Sequence, residues 1–313
     1  MTTTRASPIP ATFDRRRAEG NGLADTWRGF GTAAQLGWRM EANWTDPLLF
    51  FIYSVAKPVA SALILVFMLQ VIAGPGASAA RGFLVVGSAL WAFVISGIAG
   101  LAWSVLDDRE RYRMLKYIYV SPSDFVVVLM GRGVARIAIG AMGAAIVLAF
   151  GVVFLGVPFD VAIVDWPLLA VTLVVGMTAI VAIGIVLAAI CLQTRQESWS
   201  YPEAVAGALF LVVGAVFPLA VLPMPIQAVG LLVPLTWWLE GVRRAVFPTG
   251  PSGIGGEGSL WTGVTGTDAP DAQVIVVALL AMTTVVTLAA MVAFRWSERR
   301  AKDRGLIDRT TGS

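Results

Sequence analysis

YPEAVAGALFLVVGAVFPLAVLPMPIQAVGLLVPLTWWLEGVRR, residues 201–244, decides how the rest of the chain is read. Its apolar run from Ala204 to Leu222 reaches spanning length only with its flanks, since a bilayer core takes about 20 mostly apolar residues. Pro223-Met224-Pro225 stops the run, and a second apolar piece, Ile226 to Val233, meets Pro234 before it could cross. Only Leu235-Thr236-Trp237-Trp238-Leu239 then separates Pro234 from the charged Glu240, Arg243 and Arg244. Bare backbone is not tolerated against lipid. A proline-broken apolar hairpin that ends in charges therefore predicts a re-entrant or interfacial element packed against protein, with an ordinary hairpin between two spans as the plainer alternative.

Composition places this stretch in a membrane domain. Hydrophobic residues make up 57% of the chain and charged ones 14%, with a mean hydropathy of +0.78, outside the range of soluble globular proteins. The single cysteine, Cys191, excludes an intrachain disulfide and reads as a small apolar helix residue. There is no histidine, which excludes every Ser-His, Cys-His and His-metal constellation. The acids are scattered near the ends of apolar runs, so a membrane-embedded enzyme is disfavoured and no metal site is expected. The first 47 residues hold no apolar signal core, and the first span is expected to serve as the insertion signal.

Taken in order, residues 1–22 read as a disordered cytoplasmic tail rich in Thr, Pro, Gly and Arg. From Leu23 to Trp44, Trp27, Ala34 and Trp38 fall near one helical face beside Arg28 and Gln35. This predicts an interfacial amphipathic helix, because indole rings settle at the headgroups and arginine reaches lipid phosphate. Spans are predicted over about 48–72, 83–106, 137–157, 168–192, 203–222 and 274–294. Lys57-Pro58 falls inside the first, where the lysine either snorkels or faces protein. The third apolar run begins earlier, at Phe125, and carries Arg132 and Arg136 four apart, so its start projects from the membrane or lies against protein.

Asp107 to Pro122, DDRERYRMLKYIYVSP, is the most charged stretch between any two spans. Tyr112, Leu115, Ile118 and Tyr119 recur at three or four residues and predict a short helix that Ser121-Pro122 ends. Gln193 to Ser200 reads as a short polar loop, and Phe247 to Asp271, rich in Gly, Ser, Thr and Asp, as an exposed one. Residues 297–313 form a basic cytoplasmic tail.

Basic residues fix the orientation. The N-terminal segment, the loops after spans two and four and the C-terminal tail together hold 17 Lys and Arg, against only Arg81, Arg243 and Arg244 in the alternate segments. Six spans with both termini cytoplasmic follow, which puts the 107–122 stretch inside and the proline-broken hairpin outside. The only lysines are Lys57, Lys116 and Lys302, and none follows a glycine, so the chain has no P-loop.

Two stretches in order, Glu110, Leu115 and Ser121-Pro122, then Phe217-Pro218, Leu222-Pro223 and Pro234-Leu235-Thr236-Trp237 with Arg243 and Arg244 beyond, resemble the membrane subunits of ABC-2 type exporters. The resemblance covers about residues 24–296 and implies an ABC-2 type transmembrane domain over 23–296. It implies an all-α polytopic fold of six transmembrane helices, with an N-terminal interfacial helix and a re-entrant hairpin between helices five and six. That outer hairpin is carried by Pro223, Pro225, Pro234, Glu240, Arg243 and Arg244, and Glu240 is expected to pair with Arg243 or Arg244.

The resemblance further implies a cytoplasmic coupling helix at 107–122 that docks on a separate ABC ATPase subunit through Glu110, Arg111, Arg113, Leu115 and Lys116. The loop at 193–200 would be a second, smaller contact. ATP and Mg would be bound by the partner and no cofactor by this chain. The other partners expected are a second permease copy, identical or related, and membrane lipids, with no nucleic acid.

The implied function is export of an amphipathic or lipid-like substrate across a bacterial plasma membrane. An uncharged middle in spans two, four, five and six gives a proton or sodium relay no seat, which weighs against the rival reading of a secondary transporter. A non-transporting membrane scaffold is the other alternative.

Overall fold

The computed structural model describes residues 23–42, 47–73, 78–120, 124–194 and 200–304. The expected tail at 1–22, Ser121-Pro122, residues 195–199 of the expected second contact and the tail from 305 onward lie outside the described residues. So do the side chains of Lys57 and Lys116.

Among the described residues the fold is all-helical. The helices are α1 (Leu23–Ala42), α2 (Pro47–Ala73), α3 (Ser78–Leu106), α4 (Leu115–Val120), α5 (Phe125–Leu155) and α6 (Trp166–Gln193). After them come α7 (Ser200–Val212), α8 (Met224–Leu232), α9 (Pro234–Val246), α10 (Leu260–Thr265) and α11 (Ala272–Asp303). Among the described residues, four stretches are long and apolar enough to cross a membrane: Ala80–Arg111, Phe125–Leu155, Trp166–Gln193 and Ala272–Asp303. Pro58–Ile72 and Ser200–Val212 are shorter apolar helices.

α3 is the axis of the bundle. It packs on α2, α5, α6, α7 and α9, and Val94, Ile98, Ala99, Ala102, Val105 and Leu106 are fully buried along it. Small residues let its neighbours approach closely: Gly140 of α5 faces Ser96, and Gly184 of α6 faces Leu101. On the other flank α11 packs against α6 and α9 and keeps an apolar outer face, with Val277, Val285, Leu288 and Val292 exposed.

Helix ends follow local chemistry. Asp124 caps α5, its carboxylate accepting the Val126 amide at 2.8 Å, and Gly156 at φ 64° closes the other end. Asp165 caps α6 by accepting the Leu168 amide at 3.0 Å. Pro223 lies just before α8, and Pro234 opens α9 in its first turn.

Two helix ends depart from expectation. The apolar run expected to span 203–222 is helical only to Val212; Gly214 at φ 72° turns the chain, and one 3-10 turn, Leu219–Val221, follows. Conversely, α11 runs nine residues past the expected end at 294, into what reads as tail, because Ser297 and Ala301 are buried there. The Ser297 hydroxyl donates to the Ala189 carbonyl at 2.7 Å, and the Gln193 amide donates to the Ser297 carbonyl at 2.6 Å.

Candidate functional site

Charge gathers at the two ends of α3. The 24 steps from Phe83 to Asp107 rise about 36 Å at 1.5 Å each, close to the thickness of a hydrocarbon core.

At the first end, α3 leaves α-geometry. Asp107–Arg111 form a π-helical turn, with the Tyr112 amide donating to the Asp107 carbonyl at 2.8 Å. The turn points Asp107, Asp108 and Arg109 into protein, where all three are buried. Asp108 pairs with Arg132 of α5. Asp107 pairs with Arg136, one helical turn further along α5, at 2.7 Å, and Glu41 of α1 reaches the same guanidinium at 2.7 Å. Arg109 donates to the Cys191 and Thr194 carbonyls at 3.0 Å each at the C-terminus of α6, where the Cys191 carbonyl also accepts the Thr194 hydroxyl at 3.2 Å. Its other nitrogen holds Glu110 at 2.8 Å. Four helices are thereby tied together by one network: α1, α3, α5 and α6.

α1 lies across the start of α5. Ala33 and Gly37 turn toward it, and a side chain at Gly37 would press on the Arg132 backbone. Trp27, Leu36 and Trp38 are left exposed.

Beyond the network the chain makes a tight turn at Arg113, whose φ of 52° is rare for a residue with a side chain. The six-residue helix α4 follows, starting at Leu115 rather than at Tyr112. Arg111 and Arg113 are exposed, and Glu110 is partly so. Leu115 is not a surface contact. It is 2% exposed and packs with Val105, Phe125, Leu129, Leu192 and Phe294, because the turn at Arg113 swings it back over the ends of α3, α5, α6 and α11.

Leu115 can act on a docked protein only by anchoring the turn. Leu115→Ala should cost about 2–5 kcal/mol and lower the melting temperature in detergent; an unchanged melting curve would mean that the turn is not anchored there. Tyr119 stacks on Phe125 at 4.8 Å, and burial, then the carboxylates of Glu298 and Asp124, raise its phenol well above the ordinary range.

At the second end, Glu240 and Arg243 are both buried, but the expected ion pair between them does not form. Each side chain is committed to a loop instead. Glu240 accepts from the Ser252 hydroxyl at 2.5 Å and the Gly253 amide at 2.7 Å. Arg243 donates to the Gly214 and Ala215 carbonyls at 2.8 and 2.6 Å, with its guanidinium 3.5 Å from the centre of the Phe83 ring. It therefore supplies the donors that the broken end of α7 lacks. Gly87 of α3 makes room, since a Cβ there would collide with the Ala215 carbonyl and the Arg243 guanidinium. Arg244, half-buried, does not pair with Glu240 and lines a cleft with Phe83, Pro158 and Phe247.

Of the expected hairpin prolines, Pro234 is buried against the bundle while Pro223 and Pro225 sit at the start of α8. Gln227 fastens α8 to the following loop: its amide donates to the Leu222 carbonyl at 2.7 Å and its carbonyl accepts the Leu260 amide at 2.6 Å.

Residues that sequence reasoning left out of the site are Glu41, Asp107, Asp108, Arg109, Arg132 and Arg136. The available signal was the match between two adjacent acids at one helix end and two arginines four apart at the start of the next. The described residues hold no cluster of His, Cys, Asp or Glu able to bind a metal.

The family model described as ABC-2 type transporter matches residues 35–247, from the middle of α1 to the end of α9, so the match takes in both charged ends. No match is found among curated proteins.

Proposed function

This chain belongs to the ABC-2 type transporter family, a membrane permease component of ABC-type transport that works with an ATP-binding partner, and on that premise we propose how it does so. It is the translocating subunit of an exporter, moving an amphipathic or lipid-like substrate out of the cytoplasm or inner leaflet while a separate subunit hydrolyses ATP. The observation that carries this reading is the turn at 110–116. It exposes Arg111 and Arg113 at the mouth of the bundle and is anchored by Leu115 and by the ion network behind it. A push on such a turn is delivered to α1, α3, α5 and α6 together, because the Asp108–Arg132, Asp107–Arg136 and Glu41–Arg136 pairs each join two elements and Arg109 holds the end of α6.

The topology that goes with it has both termini in the cytoplasm of a bacterial cell and six membrane passages, α2, α3, α5, α6, α7 and α11. α7 is about 20 Å long and stops within the outer half of the bilayer. The turn at 213–218 and the proline-started helices α8 and α9 complete the passage as a re-entrant hairpin. Arg243 makes that backbone tolerable in lipid by satisfying its carbonyls. Two such chains, identical or related, enclose the path. The uncharged interior of the long helices suits a cargo with a hydrocarbon body.

Co-purification of the tagged chain in mild detergent from its native host, followed by mass spectrometry, tests the reading. An ABC ATPase subunit should be recovered with the wild type. The double variant Arg111→Glu/Arg113→Glu should lose at least about tenfold of it while eluting as a folded protein, since reversing charges at a contact costs several kcal/mol. Recovery of the ATPase unchanged by the double variant would move the contact elsewhere, and a chain that purifies with no nucleotide-binding partner would overturn the exporter reading.

A further inference from the structure

Positive residues are disfavoured on the outer side of a membrane protein, so the few that occur there call for a reason. Arg81, Arg243 and Arg244 are the three that the topology above puts outside. Arg81 is far from the other two in sequence but adjoins Gly82, which with Arg243 and Arg244 lines one cleft between the start of α3, the turn joining α5 to α6 and the end of α9. Phe83, Pro158, Phe247 and Thr249 line it together with the charged Glu240, Arg243 and Arg244.

Two of the arginines have work to do in the fold. Arg81 donates to the Leu155 carbonyl at 3.3 Å, and Arg243 holds the broken end of α7. Arg244 has no hydrogen bond, ion pair or ring contact among the described residues, although it is half-buried against the cleft. The nearby carboxylates do not engage it. Glu240 is taken by Ser252 and Gly253, Asp165 by the Leu168 amide, and Asp160 by the Ala162 amide at 2.9 Å.

The surface beside the cleft is apolar and exposed. Val153 and Phe154 at the end of α5 are 72% and 71% exposed, and Phe159 and Trp166 flank the joining turn with their rings outward. Aromatic rings at helix ends mark the headgroup level, and the aliphatic face below them is where acyl chains lie.

We propose that this cleft is a binding site for an anionic phospholipid of the outer leaflet. The Arg244 guanidinium donates to the phosphate oxygens, and the acyl chains run down Val153 and Phe154. A planar guanidinium with no protein partner suits a phosphate, which it can grip with two parallel hydrogen bonds. The side of the membrane rests on the topology proposed above; the headgroup chemistry does not.

The test is native mass spectrometry of the full-length chain, purified in detergent and titrated with dioleoylphosphatidylglycerol or dioleoylphosphatidylcholine. The wild type should retain phosphatidylglycerol in preference to phosphatidylcholine. Arg244→Gln should weaken that retention by about tenfold, the loss of one charge-assisted contact, and Arg244→Lys should recover part of it. Thr249→Glu keeps Arg244 but adds a carboxylate to the cleft and should weaken phosphatidylglycerol similarly, which keeps the test decisive if Arg244→Gln does not fold. Equal retention of the two lipids by the wild type, or unchanged retention in a folded Arg244→Gln or Thr249→Glu chain, would overturn the site. Separately, Thr249→Cys in intact cells should react with a membrane-impermeant thiol reagent. Failure to react, with lipid preference intact, would overturn the outer-leaflet assignment alone.

Discussion

Arg132→Met should be among the most damaging single substitutions in this chain. It leaves Asp108, with a side chain 4% exposed, as a buried carboxylate without its counter-ion, at a cost of about 3–5 kcal/mol. The variant should accumulate poorly and melt far below the wild type in a fluorescence thermal-shift assay in detergent. The informative comparison is the double variant Asp108→Leu/Arg132→Met. Removing both charges spares their desolvation, and the double variant should be more stable than Arg132→Met alone. If it is no better, the pair's geometry and not its charge balance is what the end of the bundle depends on. A chain restored in stability but deficient in transport would assign the ion pair to coupling.

The second large effect belongs to the opposite end. Arg243→Leu strips the Gly214 and Ala215 carbonyls of their donors and empties the face of the Phe83 ring. Two hydrogen bonds from a charged donor contribute about 1.5–3 kcal/mol each, and the carbonyls left behind are buried. Lysine should rescue poorly, because a compact ammonium does not reproduce the planar fork that reaches both oxygens. Hydrogen exchange would read the damage directly. Protection should fall across 213–222 and at the start of α9 while the amides around Asp107 and Arg132 keep theirs. Uniform loss of protection would mean that Arg243 supports the whole bundle.

Local features of this fold were legible in the sequence, and long-range ones were not. The prolines at 223 and 234 mark helix starts because their ring fixes the backbone whatever surrounds it. The aromatic-rich segment near the N-terminus announces a helix, and α1 forms. By contrast, Val213 to Phe217 is as apolar as the run before it, and nothing local says that the helix stops at Val212. The stop is tolerated because of a guanidinium 28 residues away.

The same limit explains the charges. Glu240 and Arg243 stand three apart on one helix, spacing that favours an ion pair. In the fold both point into loops that offer backbone groups, and those win. Leu115 fits a short helix by its period, and only the family resemblance makes it a contact; the left-handed turn at Arg113 aims it inward. Asp107 and Asp108 open the most charged stretch between two spans, and nothing in that stretch says which way they face. Their partners lie 29 and 24 residues further along, across a turn whose geometry no local pattern specifies.

The π-helical turn at Asp107–Arg111 also sets an angle. An α-helix advances about 100° per residue, so the one surplus residue that a π-turn accommodates rotates everything after it by that amount relative to an uninterrupted helix. Take one residue out there and the chemistry of the stretch would be almost unchanged, but the compass bearing of Glu110, Arg111 and Arg113 would swing by more than a quarter circle. In this chain the aim of the charged turn depends on a count of residues as much as on their kind, and a gap in that count is a change of direction.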